Sequence, residues 1–307
     1  MRSLYLDCTG DMAGRMDAEM QALLPGLEVN RSDPSADALP ALLAGCVGVL
    51  NGHTYMPAAL LSALPELKVV VYLGTGAATY IDVAAAETAG IRVLNVPGYG
   101  DRTIAEHTIA LMFAAVREIA GMDRRLRAGE WYPRLGRYEI EGKTFGILGL
   151  GGIGRQVAAM AAALGMRVLA WSRSGVPAGV PAEASESIDR VVAEADVLSL
   201  HVAEVPETLG LLDRRRFALM RPGAILVNTG RAGLVDQAAM LEALKSGRLG
   251  HAALDVFPME PIASDDPLLA LDNVTLTPHT AWISPEASTR LLRRGIETLR
   301  DALSELR

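Results

Sequence analysis

The run Phe145-Gly-Ile-Leu-Gly-Leu-Gly-Gly-Ile-Gly154 constrains this chain more than any other segment. An apolar stretch that reads as a strand enters it, and residues 153–164, which read as a helix, leave it. Gly149, Gly151 and Gly154 fall in the spacing G-x-G-x-x-G, and each has a physical task. The first allows a tight turn, the second lets backbone approach a pyrophosphate, and the third lets helix and strand pack closely. The N–H groups that open the helix, around Gly152 and Ile153, favour an anion there. The segment therefore predicts a dinucleotide-binding strand–turn–helix.

The rest of the chain supports an α/β reading. Short apolar runs at 3–7, 46–50, 68–72 and 91–94 predict strands, with helices at 58–63 and 83–89 between them. A long helix is expected over 103–128. A second series of strands follows at 145–149, 167–171, 196–200, 224–228, 252–256 and 274–276. Helices at 153–164, 188–194, 214–220 and 237–246 separate most of them. Several strands are apolar throughout, as in a parallel sheet covered on both faces. Six strands with such helices suit two βαβαβ halves. Residues 285–307 read as one helix, with Pro285 at its start where the missing N–H costs nothing.

Length and charge set limits. A chain of 307 residues corresponds to about two domains. Net charge is −7, so neither nucleic acid nor an anionic membrane surface is an expected partner. No stretch of about 20 uninterrupted apolar residues predicts a membrane span, and the N-terminus carries no signal-peptide pattern. Cys8 and Cys46 lie far apart with no metal-type spacing, so buried free thiols in a reducing cytoplasm are expected, and no metal site.

The strand after the glycine loop bears on the cofactor. An NAD site usually carries an acid about 20 residues on, bonded to the ribose hydroxyls. Here the strand ends in Ser172-Arg173-Ser174. A carboxylate would repel a 2′-phosphate, whereas a guanidinium and two hydroxyls can donate to one. NADP is therefore expected ahead of NAD, although a solvated loop arginine would give the same sequence.

Three further segments begin at the C-terminal ends of predicted strands, the edge that faces the ligand crevice in open α/β sheets. They carry Thr229-Gly230-Arg231, Asp255 with Glu260, and His279 with Trp282. Reduction of a 2-oxo acid needs a cation for the carboxylate and the polarised carbonyl, which Arg231 can supply. It needs an acid for the developing alkoxide, and His279 can cycle near neutral pH. A carboxylate beside the imidazole would orient it, the role expected of Glu260. Separately these are an ordinary surface arginine, a loop Glu-Pro and a packing Pro-His. Their order at consecutive strand ends, after a phosphate loop, favours the catalytic reading.

These motifs, with Gly98-Tyr-Gly-Asp-Arg-Thr-Ile-Ala-Glu-His107 and Gly142-Lys-Thr-Phe-Gly-Ile-Leu-Gly-Leu-Gly151, resemble the D-isomer-specific 2-hydroxyacid dehydrogenase family over nearly the whole chain. The resemblance implies two Rossmann-like domains: a doubly wound parallel-sheet cofactor domain (99–284) inserted into a flavodoxin-like substrate domain (1–98 and 285–307). It implies that backbone N–H groups of Leu73-Gly74-Thr75-Gly76 hold the substrate carboxylate. Thr103 is implied near the nicotinamide, Asp255 on its carboxamide, and His201 and Val202 beside the adenosine. The Ser172-Arg173-Ser174 segment and Trp282 are similar to the NADPH-preferring glyoxylate/hydroxypyruvate reductases. A homodimer, with the long helix and residues 131–138 at its interface, is implied in the same way.

Some positions stay open. Asn51 and His53 form another pocket wall or are ordinary loop polar groups. The substrate loop continues Ala77-Ala78-Thr79-Tyr80-Ile81-Asp82, where many relatives have Asn-Ile-Asp, and His201-Val202-Ala203 lacks the common proline. His107 is expected to be a packed structural histidine and His251 a solvent-side residue at a strand entry. Ile104, Leu111, Ala115 and Ile119 read as one apolar helix face, and Arg124, Arg125 and Arg127 as a solvated one. Two competing functions are a dinucleotide-sensing protein without catalysis, like the related corepressors, and a formate- or phosphite-type dehydrogenase. Formate enzymes resemble this fold with Gln in place of the Glu partner, so Glu260 argues against that branch. No tyrosine is followed by Lys in the Tyr-x-x-x-Lys spacing of short-chain dehydrogenases.

Overall fold

A computed structural model describes residues 1–131 and 138–306. The chain divides into two units, Met1–Gly100 with Ile283–Arg307, and Asp101–Trp282.

The first unit is built on five parallel strands: β1 (Arg2–Tyr5), β2 (Leu27–Val29), β3 (Cys46–Asn51), β4 (Val69–Tyr72) and β5 (Arg92–Asn95). Their order is β2-β1-β3-β4-β5, the flavodoxin-like arrangement. Val69, Val70 and Val71 are wholly buried because the sheet is covered on both faces. The helix Pro285–Ser304 returns to cover one of them, capped by Ser284 Oγ, which accepts from Ala287 N at 3.1 Å. Gly295 lets it approach, since a Cβ there would lie 2.3 Å from Leu73 Cδ2. Leu39, Leu43, Met56 and Leu60 are among the residues of a core cluster in the same unit.

The second unit has seven parallel strands: β6 (Thr144–Leu148), β7 (Arg167–Trp171), β8 (Glu183–Ala184), β9 (Val197–Leu200), β10 (Ala224–Asn228), β11 (Leu249–Leu254) and β12 (Val274–Leu276). The order β12-β11-β10-β9-β6-β7-β8 is the doubly wound one, with its switch point between β6 and β9. The molecule is thus two Rossmann-like α/β sheets.

Several expectations need correction. β2 and β8 escaped the sequence reading. β2 is three residues long with Glu28 exposed in its centre, and β8 is two exposed residues, so neither makes an apolar run. The strand expected at 3–7 ends at Tyr5. The helix expected over 103–128 is two helices, Asp101–Val116 and Ile119–Arg127, separated by Glu118 in the left-handed region at φ 53°. The break carries neither Gly nor Pro, so no local signal announced it. Beyond it the apolar face is no longer covered. Leu111 and Ala115 are buried and Ile104 partly so, but Ile119, Met122 and Leu126 are exposed. His251 is not on a solvent side: it lies buried within β11, with Nε2 2.9 Å from Thr275 Oγ1. β11 has a neighbour on each side, so its entry is covered as well. Arg124, Arg125 and Arg127 do form a solvated face, as expected, with Arg124 and Arg125 paired to Asp272 and Arg127 to Asp123. Of the segment 131–138 expected at an interface, residues 132–137 lie outside the described residues.

Candidate active site

The glycine loop follows β6 and leads into the helix Gly152–Ala163. Its glycines differ in what they permit. Gly149 has φ +100°, and a Cβ on it would lie 2.4 Å from His201 O. A Cβ on Gly154 would lie 2.0 Å from Gly149 O, and one on Gly152 would lie 1.8 Å from the Asp101 carboxylate. Gly151 alone among the four meets nothing within 4 Å, so its surface is open to a ligand. Gly151 is the N-cap residue and supplies no side-chain cap, which leaves first-turn N–H groups for an anion. Ile153 is partly buried against the core.

At the end of β7, the turn 172–175 closes with Gly175 N donating to Ser172 O at 2.9 Å. Ser172 Oγ and Ser174 Oγ are 3.5 Å apart. Arg173 is exposed, and its guanidinium makes no hydrogen bond or ion pair among the described residues. After β9, His201 N donates to Leu148 O at 2.7 Å, and His201 Nε2 lies 2.9 Å from Ser199 Oγ. Val202 packs on the core beside it.

The ends of β10, β11 and β12 lie side by side, in register at Asn228, Leu254 and Leu276. The β10 turn holds Thr229, Gly230 and Arg231. Asn228 braces it twice, with Oδ1 accepting from Gly230 N at 3.0 Å and Nδ2 donating to Arg231 O at 2.9 Å. Thr229 Oγ1 lies 2.9 Å from Thr108 Oγ1, and Arg231 Nη1 donates to Gly230 O at 2.8 Å. Asp255 follows β11 and is fully buried. Its Oδ1 accepts from Thr277 Oγ1 at 2.5 Å and Thr280 N at 2.9 Å, and its Oδ2 from Ala281 N at 2.9 Å. His279 follows β12 in the left-handed conformation, φ 53°, which an L-residue rarely adopts. Two hydrogen bonds hold it there, from His279 N to Asp255 O (2.9 Å) and to Thr277 O (3.0 Å). Its Nδ1 is 2.6 Å from Glu260 Oε2, while Glu260 Oε1 accepts from Phe257 N at 2.9 Å. A carboxylate only accepts, so Nδ1 carries the proton of that bond and Nε2 is left for other chemistry. Thr103, on the long helix, and Trp282, after this turn, are both partly exposed.

In the first unit, Leu73 N donates to Asn51 O at 2.8 Å, which sets the loop 73–76 beside the loop 51–54. Leu73 and Gly74 are buried, Thr75 exposed and Gly76 partly so. The Asn51 amide is engaged internally, with Oδ1 accepting from Thr54 N and Nδ2 donating to Thr54 O. His53 Nε2 lies 2.8 Å from Asp33 Oδ1.

The profile described as D-isomer specific 2-hydroxyacid dehydrogenase, NAD binding domain, matches residues 109–281. The chain belongs to this family. It is 40% identical over 278 residues to the D-3-phosphoglycerate dehydrogenase of Mycobacterium leprae, covering 88% of this chain and 50% of that one. It thus spans about half the length of that relative. It is 40% identical over 251 residues to the glyoxylate reductase of Aeropyrum pernix, covering 78% and 74%. Among solved structures, an acyclic imino acid reductase in complex with NADPH and D-Arg superposes with a TM-score of 0.86 at 28% identity, covering 99% of this chain and 98% of that one.

A nicotinamide dinucleotide, as the family implies, fits the residues present. Gly151 is open, the helix start is uncapped, and the Asp255 carboxylate accepts from Thr277 Oγ1, Thr280 N and Ala281 N where a carboxylate takes about four hydrogen bonds.

Sequence reasoning missed three supports of this family member. Asp7, beyond β1, is a buried carboxylate accepting from the backbone N–H groups of Gly52, His53 and Thr54 and from Thr54 Oγ1, at 2.7–2.8 Å. Only its burial marks it, and a strand-end aspartate gives no such signal in sequence. Asn228 braces its own turn through Gly230 and Arg231, and Thr277 meets His107 and Asp255 from distant elements, so neither role shows in residue type or spacing.

Burial also affects stability. Desolvation pushes the His201 imidazole down to about 4, although one edge of the residue remains accessible. The unfolded chain would take up a proton near 6.5 and the folded one near 4. Stability should therefore fall as pH drops through that window and level off below it, by as much as ~3 kcal/mol. Denaturant melts at pH 7 and 4.5 check this: His201→Gln should lose less than the parent, and equal losses would refute it.

Proposed function

We propose that this chain reduces small, non-phosphorylated 2-oxo acids to D-2-hydroxy acids with NADPH in preference to NADH. The Glu260–His279 pair at 2.6 Å, at the sheet edge that also carries the Arg231 turn, carries this reading. When bound, the reduced nicotinamide supplies the hydride. Arg231 binds the substrate carboxylate and polarises the carbonyl by two-pronged donation. Of the loop 73–76, the N–H groups of Thr75 and Gly76 serve the carboxylate, because those of Leu73 and Gly74 already donate to Asn51 O and Tyr72 O, contrary to the expectation for all four. His279, oriented through Nδ1 by Glu260, holds a proton at Nε2 and gives it to the carbonyl oxygen. Gly151 and the helix start hold the pyrophosphate, Asp255 the carboxamide, Thr103 the nicotinamide side, and His201 and Val202 the adenosine side.

The charge pattern supports the substrate class. A phosphate ester would need a cation for its second charged group. Neither 51–54 nor 73–76 contains Lys or Arg, and the His53 ring is already engaged by Asp33. Glyoxylate, the substrate named for the Aeropyrum pernix relative, and hydroxypyruvate are therefore favoured over the substrate named for the Mycobacterium leprae one.

For the cofactor, Arg173 is an exposed cation without a partner among the described residues, and no acid shares its turn. NADPH is also what the superposed imino acid reductase holds. The test is NADPH and NADH oxidation against a panel of glyoxylate, hydroxypyruvate, larger 2-oxo acids and phosphohydroxypyruvate. Arg173→Asp should cost about 10- to 100-fold in kcat/KM with NADPH, the worth of a charge-assisted hydrogen bond at about 1.5–3 kcal/mol, and little with NADH. An unchanged preference would remove the cofactor assignment, and inactivity with every non-phosphorylated acid would remove the substrate class.

A further inference from the structure

We propose that His107 is a positioning residue for the nicotinamide carboxamide, acting through Thr277 on Asp255; this rests on the dinucleotide reading above. His107 lies on the helix Asp101–Val116, where an ordinary packing role would be expected. Its Nε2 is instead 3.0 Å from Thr277 Oγ1, and Thr277 Oγ1 is 2.5 Å from Asp255 Oδ1. The ring nitrogen itself is 3.8 Å from that carboxylate oxygen, too far for a direct bond.

The donors and acceptors in this chain can be assigned from chemistry alone. The Asp255 carboxylate can only accept, so the Thr277 hydroxyl proton points at Oδ1. Oγ1 then has lone pairs left but no proton, so His107 Nε2 must carry the hydrogen between them. The imidazole therefore fixes the direction of a hydroxyl that could otherwise rotate. With Thr277 and Thr280 N both on Oδ1, and only Ala281 N on Oδ2, the remaining acceptor capacity of Asp255 is on Oδ2. Because Asp255 is completely buried, an acceptor left without a donor there costs free energy, and an amide N–H offered to it is favoured. His107 thereby selects which carboxylate oxygen reads the carboxamide. The same segment also holds His279, whose N–H donates to Asp255 O.

The test compares two dinucleotides by their dissociation constants, measured by titration calorimetry on the full chain. One is NADPH. The other is its reduced 3-acetylpyridine analogue, which keeps a carbonyl but has no amide N–H. The parent should bind NADPH at least 10-fold more tightly than the analogue. His107→Ala should weaken NADPH about 10-fold and the analogue less than twofold, and His107→Gln, which restores an N–H donor, should recover most of the loss. Thr277→Val breaks the chain without altering the helix, and should lose the same selectivity. The double variant should be no worse than either single one. Equal weakening of both dinucleotides, or retained selectivity in both single variants, would overturn the role of His107 while leaving the dinucleotide reading intact. A parent that binds both dinucleotides equally would show that Asp255 does not read the carboxamide and would overturn the role of His107 with it, whereas a parent that binds neither would end the dinucleotide reading.

Discussion

His279→Ala should lower kcat/KM for 2-oxo acid reduction by about 10²- to 10⁴-fold, the range that a positioned general acid contributes. The expectation follows from geometry. The imidazole is fixed at both ends of its residue: its backbone is held left-handed by Asp255 and Thr277, and its ring is held by Glu260 at 2.6 Å. Removing the ring takes away the proton but not the proposed dinucleotide site at Gly151, the helix start and Asp255. Dissociation constants for NADPH should therefore stay within about twofold, since general-acid loss is a transition-state effect. Glu260→Gln keeps a hydrogen-bonding side chain but not the charge, and should cost about 10-fold or more in kcat. Stopped-flow rates with saturating NADPH, beside calorimetric binding, separate the two effects. Activity within a few-fold of the parent in His279→Ala would eliminate the histidine as the proton donor.

The second large effect concerns the glycines. Gly149→Ala and Gly154→Ala should each destabilise the second unit by an amount of order 3–5 kcal/mol, at the diagnostic end for single substitutions. At Gly149 a side chain is strained by φ +100° and meets the His201 carbonyl at 2.4 Å. At Gly154 it meets the Gly149 carbonyl at 2.0 Å. Both obstacles are backbone, which cannot rotate away. For a domain of this size each kcal/mol shifts Tm by roughly 2–4 °C, so melting should fall by about 6–20 °C. Gly151→Ala should behave oppositely. Nothing lies within 4 Å of its Cβ, so Tm should be unchanged while dinucleotide affinity drops about 10-fold or more. Thermal melts and binding titrations on the three variants check this. A Gly151→Ala protein that melts early yet binds normally would reverse the assignment of loop positions.

Much of the architecture was legible because it rests on local periodicity. The strands β3, β4, β6, β7 and β9–β12 were found within a residue or a few because each is an apolar run bounded by turn residues. β2 and β8 were not, since a short edge strand buries too little to need an apolar run. The break at Glu118 was hidden because a left-handed residue other than Gly or Asn leaves no compositional mark. Ile119 therefore seemed to continue a buried face that ends about one turn earlier, at Ala115 and Val116.

The sequence by itself determined which groups the chain brings to its strand ends: the glycine loop, Arg173 without a neighbouring acid, and Arg231, Glu260 and His279 in order. These are matters of residue type and spacing, and covalent order carries them. Only the tertiary structure decided that Gly151 is open while Gly149 and Gly154 are closed against backbone, that Asp7 captures the loop 52–54, and that His107 reaches Asp255 through Thr277. Those facts depend on hydrogen-bond directions and contact distances between residues up to 170 positions apart, as in the bond from His107 to Thr277. Such pairings are set when parallel strands and their covering helices pack, and no local pattern encodes them.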